Sequence, residues 1–176
     1  MKRVLLFVLA LAVIPVGVDA QTDSQIREVA AMRRNAEGGE WYSAFQLGLL
    51  YDNGFSRLAI LEDDVEALRW FKLALELGAT PLNAFGGYAA FGSVKIFQFL
   101  IGDMYVKQGG VPEDLVSAYM WFNLAEAHEW SDDEVELYGL PSRSKAAIQG
   151  RMTREQIAEA QRLSREWIEA HPPSGN

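Results

Sequence analysis

The spacing Asp-x-x-x-Ala-x-x-Trp-Phe-x-Leu-Ala occurs twice in this chain, 51 positions apart. The first copy is Asp63, Ala67, Trp70, Phe71, Leu73 and Ala74; the second is Asp114, Ala118, Trp121, Phe122, Leu124 and Ala125. A shared pattern at one offset means that a single helical unit is used twice and stacked on itself, because such a unit cannot bury its apolar face alone. Stacked helical pairs build extended surfaces that hold other molecules. The repeat therefore points to binding without identifying what is bound.

The N-terminus reads as a separate segment. Lys2 and Arg3 precede an apolar run of 11 residues, Val4 to Ile14, which Pro15 and Gly17 interrupt before Val18-Asp19-Ala20. This is the pattern of a secretory signal peptide over residues 1–20, with cleavage expected before Gln21. Even counted through Val18, the run is shorter than the roughly 20 residues that span a bilayer. No cysteine stands at the cleavage site, which argues against a lipid anchor. The expected product is periplasmic or secreted and does not insert in a membrane after signal removal. Its 156 residues suit one domain, and its charge is −9, from 14 basic and 23 acidic side chains. Nucleic acid and anionic membranes repel such a protein. With no cysteine in the chain, no disulfide can staple the fold, so stability must come from burying Trp, Phe and Tyr.

Almost every segment of the remainder carries helical periodicity, and no strand alternation or hairpin turn is visible. A first amphipathic helix is expected over 24–35, stopped by Gly38-Gly39, and a second over 40–53 with Gly54 as its terminator. After the loop 55–62, Asp63 is placed to cap a third helix ending at Leu77, with Glu66 completing a capping box. Residues 97–107 carry Ile101, Gly102 and Tyr105 at offset 54 from Leu47, Gly48 and Tyr51. A turn at Gly109-Gly110-Val111-Pro112 then leads to Asp114, the cap of a helix expected to end near Glu129. The offset falls from 54 to 51 because the first turn is three residues longer, as suits a loop insertion. Thr153 with Gln156 forms a further capping box, and Met152 with Ile157 a hydrophobic staple. The face Ile157, Ala160, Ser164 and Trp167 marks a closing helix, which His171-Pro172-Pro173 ends.

These residues resemble the Sel-one-like repeat, a relative of the tetratricopeptide repeat. That family is similar to Leu-Gly-x-x-Tyr-x-x-Gly-x-Gly-Val-x-x-Asp-x-x-x-Ala-x-x-Trp-x-x-x-Ala across two antiparallel helices. In the second unit Gly102, Tyr105, Gly110, Val111, Asp114, Ala118, Trp121 and Ala125 match, with Ile101 for Leu and Gln108 for the first turn glycine. In the first unit Leu47, Gly48, Tyr51, Gly54, Asp63, Ala67, Trp70 and Ala74 match around a lengthened turn. The tail from Met152 to Gln161 also looks like the closing helix of exported bacterial members. Small residues at the Gly and Ala positions let paired helices approach, Tyr and Trp fill the space between layers, and the Asp residues cap. The resemblance thus assigns these positions to the scaffold rather than to a site.

Catalytic and metal patterns are absent from the sequence. His128-Glu129 begins like a zinc-protease helix motif, but Asp132 stands where its second histidine is required. Asp132-Asp133-Glu134 reads better as a capping box with Ser131 than as a cation site. There is no thiol nucleophile and no Gly-x-Ser-x-Gly elbow; Gly86-Gly87 does not resemble a phosphate loop. Asp63-Asp64, at a helix start, is expected to face solvent. No catalytic, metal or cofactor-binding residue is therefore assigned.

Two departures from the repeat carry the candidate contacts. Residues 79–94 interleave Phe85, Tyr88 and Phe91 with glycines, and the extra segment from Trp130 to Ala147 brings Trp130. Rings among glycines can form an adaptable binding surface, or they can pack beneath the neighbouring helices. Phe85, Tyr88, Phe91 and Trp130 are the candidate partner-binding residues.

The expectation is an all-α fold: a short α-solenoid of two helix–turn–helix repeats, about 41–78 and 95–129, with an N-terminal helix and a capping helix at 153–171. Its expected function is that of a non-catalytic protein–protein interaction module, an adaptor or envelope-assembly scaffold for a protein partner. The helices at 41–53 and 97–107 are expected to line its groove. A cell-wall-binding protein or envelope hydrolase is the alternative. A structural homo-oligomer is a third reading.

Overall fold

Each repeat is closed by the same backbone hydrogen bond. The Asp63 N–H donates to the Tyr51 carbonyl at 2.8 Å, and the Asp114 N–H donates to the Tyr105 carbonyl at 3.1 Å. A computed structural model describes residues 19–54, 61–77, 94–107 and 109–171, with side chains from 23 onward. Among the described residues there are eight helices and no strand. They are α1 (Asp19–Glu37), α2 (Trp41–Asn53), α3 (Asp64–Glu76), α4 (Val94–Met104), α5 (Leu115–Glu126), α6 (Asp132–Tyr138), α7 (Pro141–Gln149) and α8 (Arg154–Ala170). The fold is all-α. Successive helices pack pairwise from α1 to α5, and α5 then takes both α7 and α8 against it.

Capping chemistry explains where the helices begin. The Asp63 carboxylate accepts from the N–H groups of Val65 and Glu66, and that of Asp114 from Val116 and Ser117. Each such cap contributes about 1 kcal/mol. The capping box expected at Asp63 is only half formed, because the Glu66 carboxylate accepts the Trp70 indole N–H at 3.1 Å instead. Ser131 with Glu134, and Thr153 with Gln156, form both halves. Gly54 ends α2 with φ at 60°, a conformation that a side chain would strain.

The spacing shared by the two repeats is a packing rule. A Cβ at Gly48 would lie 2.5 Å from the ring of Phe71, and one at Gly102 would lie 2.8 Å from the ring of Phe122. The two contacts occupy the same place in the two hairpins. Gly102→Ala will force a ring buried to 1% exposure to move, a strain of about 1–3 kcal/mol. The gain in helix propensity, about 1 kcal/mol, offsets only part of that. Urea unfolding is expected to show a net loss for Gly102→Ala and for Gly48→Ala alike. An unchanged midpoint would show that the rings step aside.

One core joins the two hairpins through Phe45, Trp70, Phe71, Phe97, Ile101 and Trp121. A second lies between α4, α5, α7 and α8, built on Phe99, Phe122, Ile148 and Ala160. The tail forms the expected cap. Ala160 and Ser164 of α8 are buried, and Trp167 meets Trp121 edge-on at 6.0 Å. The opposite face carries the exposed ion pairs of Arg162 with Glu159 and Glu166. At the other end, α1 lays Val29, Met32 and Ala36 against the core.

Several boundaries differ from the sequence reading. The first helix is longer than 24–35, α4 starts earlier than residue 97 and stops at Met104, and α5 ends at Glu126 rather than near Glu129. The segment between repeat and cap folds into α6 and α7, each too short for periodicity to reveal. Their signals are local: Ser131 as a cap, Gly139 at φ 85°, and Pro141 in the first turn of α7.

Candidate interaction surface

The two helices expected to line a groove do not share that duty. In α4 every residue from Ile96 to Gly102 is buried, and Met104 with them. A helix apolar all round belongs to an interior, and α4 lies between α3 and α5 with Phe97 against Trp41 and Phe45 of α2. What α4 leaves accessible is confined to its ends, at Val94, Lys95 and Asp103. The first helix of the other repeat is more open, with Tyr42 exposed and Tyr51 and Asp52 half-buried.

The repeat tyrosines are each engaged by a cation from the preceding helix. Arg33 of α1 donates to the Tyr51 hydroxyl and lies 5.7 Å from its ring centre. Lys72 of α3 donates to the Tyr105 hydroxyl at 2.8 Å and lies 5.2 Å from that ring. Arg33 also reaches the Trp70 ring at 5.8 Å, and Arg69 covers it at 4.3 Å. Trp70 is thereby sealed from water, at 0% exposure. These cation–ring contacts fasten each layer to the next.

Of the candidate partner-binding residues, Phe85, Tyr88 and Phe91 lie outside the described residues. Trp130 is half-buried. Its indole N–H donates to the Ala125 carbonyl at 2.9 Å, its ring meets Phe99 edge-on at 5.7 Å, and Lys95 sits 5.4 Å from its centre. The same Lys95 donates to Glu134 at 2.7 Å and to the Glu129 carbonyl, tying the start of α4 to α6. Burial alone would raise the pKa of Glu134, but hydrogen bonds from Lys95 and Ser131 outweigh it and hold the carboxyl below its ordinary range. That clamp contributes stability at neutral pH and loses it as the carboxyl is protonated in acid.

The acidic candidates are distributed between caps and core. Asp132 and Asp133 are exposed at the start of α6, while Glu134 is taken up by its cap and by Lys95. Among the described residues no three His, Asp or Glu side chains are grouped to hold a metal ion. The pair Asp63-Asp64 was expected to face solvent, and only Asp63 does. Asp64 is 2% exposed, because the start of α3 lies beneath the Gly109-Gly110 turn of the second repeat. Other apolar side chains stand exposed at scattered points: Ile26, Leu61, Val65, Leu137 and Ile168.

Two stacked αα-hairpins with a helix closing each end define a helical-repeat protein. Residues 41–78 and 96–128 match the family model of the Sel1 repeat. The chain therefore carries two stretches that match the Sel1 repeat, one in each hairpin. Among solved structures it is similar to a protective antigen present in uropathogenic Escherichia coli strains, described as displaying an SLR fold. The match has a TM-score of 0.57 and 22% sequence identity, over 86% of this chain and 27% of that one. At that identity the likeness concerns the fold, and this chain spans little more than a quarter of the antigen's length. No curated protein matches the chain.

Proposed function

We infer that the protein acts outside the cytoplasm as a non-catalytic adaptor or envelope-assembly scaffold that holds a protein partner. Sel1 repeats and the SLR fold suggest a protein–protein interaction module, and the tandem pair of repeats is the observation that carries this reading. The positions that define the repeat are occupied with packing, through Gly48 on Phe71 and Gly102 on Phe122. Contact with a partner therefore falls to residues outside the repeat pattern, with Phe85, Tyr88, Phe91 and the half-buried Trp130 as the proposed contacts. The apolar run at 4–14 supports export. No helix among the described residues is long and apolar enough to cross a membrane.

Crosslinking in envelope extract tests the reading, comparing residues 21–176 with the same chain lacking 80–93. One protein captured by the first and lost from the second is the expected result. Identical captures would return the aromatic insert to a packing role. Saturable retention or turnover of cell-wall fragments, with no protein captured, would favour the wall-directed alternative. Fusing residues 1–20 to a reporter that is active only after export tests the localisation, and a silent reporter would refute it.

A further inference from the structure

Where the second repeat stacks on the first, three aspartates lie within electrostatic reach of one lysine. Asp52 comes from the end of α2, Asp64 from the first turn of α3 and Asp103 from the last turn of α4, while Lys107 lies just beyond α4. Glu62 and Asp63 add to the negative field at Asp64. The Lys107 ammonium donates to Asp52 at 2.6 Å. Asp64 and Asp103 form no ion pair among the described residues within the 4 Å at which the others pair. Asp64 is 2% exposed, and its Oδ1 has no hydrogen-bond partner among the described residues. Its other oxygen is wedged against the second repeat, since a Cβ at Gly109 would lie 1.4 Å from it.

A buried carboxylate without a partner is destabilising when ionised. One lysine cannot balance three aspartates, and no three acidic groups here are arranged for a metal ion. The positive charge that fits is a proton. We propose that this seam is a proton-operated joint between the two Sel1 repeats, loosened when Asp64 and Asp103 are both ionised and tightened when that pair takes up a proton. The turn that bears on Asp64 also carries the Asp114 cap, so the charge on Asp64 is felt where the second hairpin closes.

The electrostatics of the seam agree with this geometry. Burial is the largest influence on Asp64 and Asp103, and it raises both above the ordinary carboxylate range. Lys107 pulls both down, without cancelling the rise, and the charge of Asp52 pushes both further up. For Lys107, burial lowers the pKa, but the Asp52 hydrogen bond and the charges of Asp52, Asp103 and Asp64 raise it on balance, so it stays charged at neutral pH. Carboxyls with raised folded-state pKa values contribute stability when protonated. That contribution is lost as pH rises from the ordinary aspartate value of 3.8 through the raised one.

Thermal melts at pH 4.5 and 7.5, with Asp-carboxyl ¹³C NMR and amide exchange on the wild type, test the joint. Asp64→Asn and Asp103→Asn should each raise Tm by about 2–4 °C at pH 7.5, and that gain should be smaller at pH 4.5, vanishing only below the ordinary aspartate value of 3.8. In the wild type, two aspartate carboxyls should titrate above the ordinary range, and protection of the Asp114 amide should increase as they do. Equal gains at both pH values, or losses at pH 7.5, would overturn the proposal. If the variants do not fold, the wild-type titration decides, and ordinary midpoints for every aspartate would sink it.

Discussion

Truncating the chain after Met152 is expected to remove a large share of the fold's stability. The deletion bares the face of α5 that α8 covers and uncovers Ala160's neighbours in the second core. It removes the buried Ala160 and Ser164, the half-buried Ile157, and the Trp167 ring that meets Trp121. Burying one large apolar side chain stabilises by about 1.5–3 kcal/mol, and an aromatic pair adds about 0.5–1.5 kcal/mol. With smaller contacts included, the loss is roughly 4–8 kcal/mol against a typical total of about 5–15 kcal/mol. Helical repeat arrays need terminal units with a polar outer face, and α8 supplies one through Arg162, Glu159 and Glu166. Circular dichroism should record a melt lowered by about 10 °C or more, or no cooperative transition at all. A truncated chain that melts within about 2 °C of the full one would show that α8 is an appendage.

Phe97→Ala should be the most damaging single substitution at the junction of the repeats. Phe97 has 0% exposure and lies edge-on to Phe45 at 5.0 Å and to Trp41 at 6.2 Å. It therefore joins the first helix of one repeat to the first helix of the next. Replacing a buried Phe by Ala costs about 3–5 kcal/mol, because transfer energy and a residual cavity add. Phe45→Ala should cost a similar amount, and the double variant less than the sum, since both single changes lose the same ring contact. Denaturant unfolding of the four chains measures the coupling. Strict additivity would mean that the two rings do not support one another.

Much of the architecture follows from local patterns. The duplicated Asp, Ala and Trp spacing, the glycines at 48 and 102 and the caps at Asp63, Asp114, Ser131 and Thr153 are one-dimensional signals. They act over a turn or two of helix, so reading them needs no knowledge of distant neighbours. The closing helix was legible for the same reason: Ile157, Ala160, Ser164 and Trp167 repeat at helical spacing and face α5 as a stripe should. Even the lengthened first turn was visible, as a change of offset from 54 to 51.

What the pattern could not reveal is how the layers bear on one another. Periodicity marks 97–107 as one more amphipathic helix, yet stacking on both sides turns α4 into an interior element and removes it from any groove. Asp63-Asp64 reads as an exposed acidic pair, and the Gly109 turn of the other repeat buries the second member. Asp52 and Lys107 pair at 2.6 Å although 55 positions separate them and neither belongs to the repeat motif. Sequence by itself determined the unit, its duplication and its ends, because helix periodicity and capping are short-range. Only the tertiary structure decided which faces remain open and which charges are confined, because burial is conferred by residues far away in the chain.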